Sequence, residues 1–299
     1  MAYNRYMRGM SNGGMVSSFD NATPLSNDEI RAAVPSIFAT EAHESRSDRF
    51  IPVPTVHVMD ALRSEGFRPV FAQQAKTRVP GKAEFTRHML RMRHASMSDM
   101  GGRAFEVILT NANDGTSAYK MIAGIFRFVC LNGLFTGDTF TPVHVRHNGA
   151  DVIENVKAGA MNILRIAPEA LALTDEMKGT RVSFDEAESY ARAAHLVRFP
   201  RAYDETESGP VLVPSRVPIQ PVDLLRSRRT ADRHATAWHL FNIVQENAIK
   251  GGQRGLIVGT KGQTRHSTVR AVTGIADSER VNGALWDMAV AFTKFKRAK

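Results

Sequence analysis

In residues 86–95, TRHMLRMRHA, Leu90 and Met92 occupy even positions and Arg87, Arg91 and Arg93 odd ones. A period of two belongs to a β-strand, where successive side chains point to opposite faces, and a helix cannot hold it. The stretch predicts a strand with one apolar face and one arginine face. Its neighbours extend the pattern. FRPVFAQQAKT (67–77) reads as a strand, VPGK as a turn, AEFTRHMLRMRHA (83–95) as the hairpin partner, and AFEVILTNA (104–112) as a third strand. An antiparallel sheet with one apolar face must bury that face under helices, which sets the fold class as α+β.

The remaining elements follow from period and punctuation. Short helices are expected from Ser26 to Ala33 and from Pro54 to Glu65, where Val56, Met59 and Leu62 recur at helical spacing before Gly66. After the NDGT turn, AYKMIAGIFRFVC carries Ile122, Ile125, Phe126 and Val129 on one side and stops at Asn132-Gly133, so residues 116–131 are expected to be a helix packed on the sheet. FTPVHVRH (140–147) reads as a fourth strand, and 151–197 as helical, with Ser183 and Glu186 forming a capping box. The expected core is thus β-β-β-α with helices on one face of the antiparallel sheet, followed by a smaller, mostly helical C-terminal region.

Four segments are delimited: a flexible arm (1–27), the α+β core domain (28–199), a Pro-rich linker or extended crossing segment (200–222) and the helical C-terminal region (223–299). In the last, a helix capped by Thr230 and ended by Gly251-Gly252 aligns Trp238, Phe241 and Val244, which are expected to be buried. Gln245 falls near the same stripe and needs a hydrogen-bond partner there, so a structural polar network is expected.

Charge adds a functional constraint. The formal charge is +9, and it is concentrated: residues 67–103 hold eight Lys/Arg against two acids, and residues 250–270 hold five and no acid. Two windows carrying the whole excess indicate a localised anion-binding surface. The residues singled out are Lys76, Arg78, Arg87, Arg91 and Arg93 around the hairpin, Lys120 and Arg127 on the expected helix, and Lys261 and Arg265 near the C-terminus. Arginine forks suit phosphates, and a basic face interleaved with Phe85 and Met89 suits a single strand with its bases resting on apolar surface.

Other chemistry is weakly supported. His144 and His147 form an H-x-x-H that would point to opposite faces of a strand, so no metal site is expected. GLIVGTKGQT (255–264) fails the Walker spacing, because Thr260 stands where the second glycine belongs. The one cysteine, Cys130, reads as a buried inert thiol, and Glu106 as a charge partner for Arg91 or Arg93. No catalytic motif appears, so neither an enzyme nor a cofactor is expected. No apolar run is long enough to span a bilayer or act as a signal peptide, which points to the cytoplasm.

FTRHMLRMRH, FEVILTNANDGTSAYKMIAGIFRFVCLNGL and WHLFNIVQENAIKGG together resemble the phage/plasmid-like protein family called domain of unknown function nine-three-two. The resemblance covers roughly residues 50–295; it implies a mobile-element setting and brings no catalytic residues. The helix-backed layout with a basic groove also resembles the ring-forming single-strand annealing recombinases. That likeness implies a cofactor-independent protein that binds and anneals single-stranded DNA as a homo-oligomer, possibly a ring. The alternative is an anti-restriction or anti-defence module whose basic face meets an acidic protein.

Overall fold

The computed structural model describes residues 14–18, 23–47, 50, 52–97, 102–117, 119–127, 132–135, 143–145, 152–233, 235–259 and 261–298. Cys130, Val129 and His147 lie outside these residues, as does most of the expected arm. The chain divides into two compact units, residues 1–168 and 169–299.

The first unit contains β1 (Met15–Ser17), α1 (Asn27–Ala33), α2 (Thr55–Ser64), β2 (Phe67–Gln74), β3 (His88–His94), β4 (Arg103–Asn111), β5 (Tyr119–Arg127), β6 (Asn132–Phe135), β7 (Val143–Val145) and the first part of α3 (Val152–Gly179). The strands form one antiparallel sheet in the order β1-β2-β3-β4-β5, with β6 and β7 pairing with opposite ends of β5. Met15–Ser17, inside the stretch read as a flexible arm, pairs with Phe71–Gln73 as the edge strand. α1 opens with a full capping box in which the Ser26 hydroxyl accepts from the Glu29 amide and the Glu29 carboxylate accepts from the Ser26 amide.

The expected helix at 116–131 is wrong: Tyr119–Arg127 is a strand paired with β4 from Thr110↔Lys120 to Arg103↔Arg127. Met121, Ile122, Ala123 and Ile125 are all buried, so both faces of β5 are apolar and the strand shows no alternation. The four-element core is therefore four consecutive antiparallel strands.

β3 keeps the parity expected of it. Leu90 and Met92 are fully buried on the face that also carries His88, whose Nε2 lies 2.8 Å from the Thr55 hydroxyl at the start of α2. The helices cover that face. The opposite face is equally dry: Met89, Glu106, Ile108, Thr110 and Ile122 are buried there along with Arg91 and Arg93. An exposed arginine face is not formed.

The second unit contains the rest of α3, α4 (Phe184–Arg198), the hairpin β8 (Tyr203–Thr206) and β9 (Gly209–Leu212), α5 (Ala237–Lys250), the hairpin β10 (Arg254–Val258) and β11 (Thr264–Thr268), and α6 (Ile275–Arg297). Ser183 and Glu186 make the capping box expected at α4. α5 is capped by Thr236, not Thr230, which sits in a separate 3-10 turn. Its stripe is buried as expected, with Trp238, Phe241 and Val244 packed inside and Phe241 edge-on to Trp286 at 5.8 Å. Residues 200–222 form the small hairpin and 3-10 turns, with Val217 and Ile219 buried.

Candidate nucleic-acid interface

Arg91 and Arg93 point to the same side of β3, and Glu106 stands directly opposite Arg93 on β4. The carboxylate receives both: Arg91 Nε donates to Oε2 at 2.6 Å and Arg93 Nε to Oε1 at 2.7 Å. The three side chains are only 6%, 3% and 1% exposed. Arg91 also lies over the Phe71 ring at 5.1 Å. Burial pulls the Arg93 guanidinium below its ordinary pKa, and the Glu106 charge opposes that shift. These arginines are structural, and the reading of Glu106 as their charge partner holds.

The other singled-out cations of this unit have varied surroundings. Arg87 is half-buried and donates through Nη2 to the Thr116 carbonyl at 2.6 Å. Lys120 and Arg127, expected on one side of a helix, lie seven residues apart on a strand and so on opposite faces; Arg127 is buried opposite Arg103. Lys76 and Arg78 are exposed in the connection between β2 and β3, and their heads have no partner among the described residues. His144 sits on β7 opposite Lys120.

The NANDGT segment forms a polar corner. Asn111 Nδ2 donates to the Thr55 hydroxyl at 3.1 Å and to the Val53 carbonyl at 3.0 Å. The His88 Nδ1 faces the Thr86 carbonyl at 3.2 Å, so the proton belongs on Nδ1 and Nε2 accepts from Thr55. Burial lowers the His88 pKa from 6.5 to about 4, and the Thr86 carbonyl and the Asp114 charge offset only part of that shift. Asp114 accepts from the Thr116 amide and hydroxyl and pairs with Lys82 at 3.2 Å, interactions that hold its carboxyl below the ordinary range against the effect of burial. These bonds fasten Asn111 on β4 to the start of α2 and close the loop around Asp114.

The second unit presents its cations differently. β10 and β11 pair from Arg254↔Thr268 to Val258↔Thr264, and Arg254, Lys261 and Arg265 are exposed. Their heads, and that of Arg270, have no partner among the described residues. One face of the hairpin carries Arg254, Leu256, Val258, Thr264 and His266, with Leu256 and Val258 48% and 40% exposed. Ile257, on the other face, is buried. The hairpin is seated by Gly255: a Cβ there would lie 1.8 Å from the Pro218 carbonyl oxygen, so only glycine permits this approach. Gly262 at φ +77° makes the turn, and the segment that fails the Walker spacing is thus a β-ribbon.

The buried polar residues of α5 are a structural network, as expected. Gln245 Nε2 donates to Asn282 Oδ1 at 2.6 Å, Asn247 Nδ2 donates to the Leu224 and Arg226 carbonyls, and Glu246 pairs with Arg229 and Lys250.

A second basic feature of this unit gave no signal in the charge windows. Arg198, Arg201, Arg216 and Arg280 line a cleft of about 950 Å³ between the end of α4 and the start of α6. No single stretch of sequence holds them, so only the fold reveals the cluster. Among the described residues no helix is long and apolar enough to cross a membrane.

Comparison with known proteins supplies the lineage. Two relatives from Escherichia coli (strain K12) are similar along nearly their whole length: UPF0380 protein YafZ, 38% identical over 268 residues (90% of this chain and 91% of the relative), and UPF0380 protein YfjQ, 38% identical over 266 residues (89% and 90%). No solved structure matches. The model of the domain of unknown function DUF932 matches residues 42–286, and the chain belongs to that family.

Proposed function

We propose that this protein binds single-stranded nucleic acid through phosphate contacts, and that the β10–β11 hairpin is its principal contact surface. One observation carries the reading: Arg254, Lys261, Arg265 and Arg270 stand exposed and unpaired among the described residues, with no acid from residue 250 to 270. Exposed Leu256 and Val258 and the His266 ring share one face of the hairpin with Arg254, giving bases an apolar surface to rest on while the backbone is held, and Arg265 projects from the other face. Lys76 and Arg78 are the sheet unit's exposed contribution.

Single-stranded DNA is the proposed ligand and annealing the proposed outcome. Strands held by their backbones keep their bases free to pair, so exchange is driven by pairing and needs no cofactor. One hairpin covers few nucleotides, which makes a homo-oligomer the working form. The likeness to ring-forming annealing proteins no longer supports this, since the helix on which it depended is β5. Phosphate contact is the part that rests on geometry.

Binding of labelled single-stranded and duplex DNA across a salt series tests the reading. Four phosphate contacts give log affinity a slope of about −3 against log salt on a single strand. No binding at low salt overturns the proposal. Tight association with an acidic host protein, without a DNA complex, supports the anti-defence alternative in its place.

A further inference from the structure

The arginine-lined cleft is a second basic feature of this unit, and three of its four guanidinium groups are held by hydrogen bonds to neighbouring residues. Arg198 Nε donates to the Ala248 carbonyl and Nη2 to the Arg270 carbonyl, both at 2.8 Å, and its head lies over the Phe199 ring at 4.7 Å. Arg280 Nη1 donates to the Val197 carbonyl at 2.9 Å. Arg216 is held by Asp204 and by the carbonyls of Arg201 and Tyr203. The Arg201 side chain has no partner among the described residues.

Arg216 is offset by Asp204, and against the remaining cations the lining of the cleft carries one acid, Asp277, which is 71% exposed and 3.8 Å from Arg280 Nε. The charges inside are crowded. Burial lowers the Arg198 pKa, Asp277 raises it and the like charge of Arg280 lowers it further. The amino end of α6 opens onto the same space, and its N-cap, Gly274, makes no side-chain cap bond. Backbone N–H groups and the helix dipole there add to the attraction for an anion.

We infer that this cleft binds a phosphomonoester, the group shared by the terminal phosphate of a nucleic-acid strand and a free mononucleotide. Its charge of about −1.5 to −2 and three terminal oxygens match several guanidinium groups lining one cleft better than the single charge of a phosphodiester does. Arginine suits this role because its planar fork makes two parallel bonds to one phosphate. A volume of about 950 Å³ holds a nucleoside as well as its phosphate. The strand-end form of the inference rests on the proposed function; the mononucleotide form does not.

The experiment compares 5′-phosphorylated with 5′-hydroxyl single strands of one sequence, and titrates a 5′-mononucleotide and inorganic phosphate separately against the full chain. Wild type is expected to prefer the phosphorylated strand about 10-fold, the size of effect that one hydrogen bond to a charged group supplies. Arg201→Ala, which removes no structural bond, should abolish the preference while leaving the affinity for the 5′-hydroxyl strand unchanged. Asp277→Asn, which removes the competing carboxylate, should increase it. A mononucleotide bound in the cleft as tightly as the strand end, and weakened by Arg201→Ala, assigns the site to free nucleotides. If no strand binds, the proposed function fails, and mononucleotide binding still decides the cleft. Equal affinity for both strands, together with no Arg201-dependent binding of mononucleotide or phosphate, overturns the inference.

Discussion

Arg91 and Arg93 in the sheet, and Arg254 and Arg265 on the hairpin, are the same residue type on β-strands, yet they sit in opposite surroundings. The first pair is enclosed between neighbouring strands and shares the Glu106 carboxylate. The second pair stands in solvent on a two-stranded ribbon with no acid along it. A buried guanidinium must commit its donors to the fold, because an uncompensated charge in a dry interior is costly. An exposed one has lost little by desolvation and keeps its donors for a ligand. A cluster of positive charge in sequence therefore locates neither role without knowledge of which faces are dry.

The sharpest way to break this contrast is to remove the shared anion. Glu106→Ala should destabilise the first unit by about 3–5 kcal/mol, the usual cost of stranding a buried charge, as measured by chemical denaturation. A loss no larger than that of a surface substitution would show that the arginines find water or another anion and are not structural.

The same interior should respond to acid. His88 is neutral in the fold, with its pKa lowered from 6.5 to about 4. The unfolded chain then binds the extra proton between these values, so the stability is fully present above pH 6.5 and is lost as pH falls toward 4. The full loss is about 3 kcal/mol. His88→Gln should flatten this part of the pH–stability curve. An equal slope in the variant would place the acid sensitivity elsewhere.

The seating of the hairpin can be tested with one carbon atom. Gly255→Ala drives a Cβ against the Pro218 carbonyl and should cost about 1–3 kcal/mol, as overpacked sites do, with nucleic-acid affinity falling as the ribbon shifts. Retained affinity in a destabilised variant would show that binding does not need the hairpin's seat. Smallest of all, alanine at Arg254, Lys261 or Arg265 should change stability by only about 0.5 kcal/mol each.

Much of the architecture could be read from local pattern. Strand parity in β3, the helix starting after Ser26, the capping box at Ser183, and the buried stripe Trp238, Phe241 and Val244 all depend on neighbours in sequence and were legible there. β5 was not. Ile122, Ile125, Phe126 and Val129 fit helical spacing, but a strand buried on both faces has no alternation to oppose it, and a short apolar run fits either form. Alternation in β3 separated its two faces correctly and could not say that both are dry. Glu106 was recognisable as a charge partner because opposite charges on adjacent strands meet by register. The arginine cleft had no local signal at all, since its members come together only when α4, the segment at Arg216 and α6 pack.

The central claim is that the sheet's arginines hold the fold while the hairpin's cations hold the ligand. It is tested most directly by the salt dependence of single-stranded DNA binding for the triple variant Arg254→Ala, Lys261→Ala, Arg265→Ala, measured beside its melting temperature. Removing three phosphate-binding side chains should reduce the slope of log affinity against log salt by about 2 with the melting temperature essentially retained. An unchanged slope in the folded variant would contradict the claim.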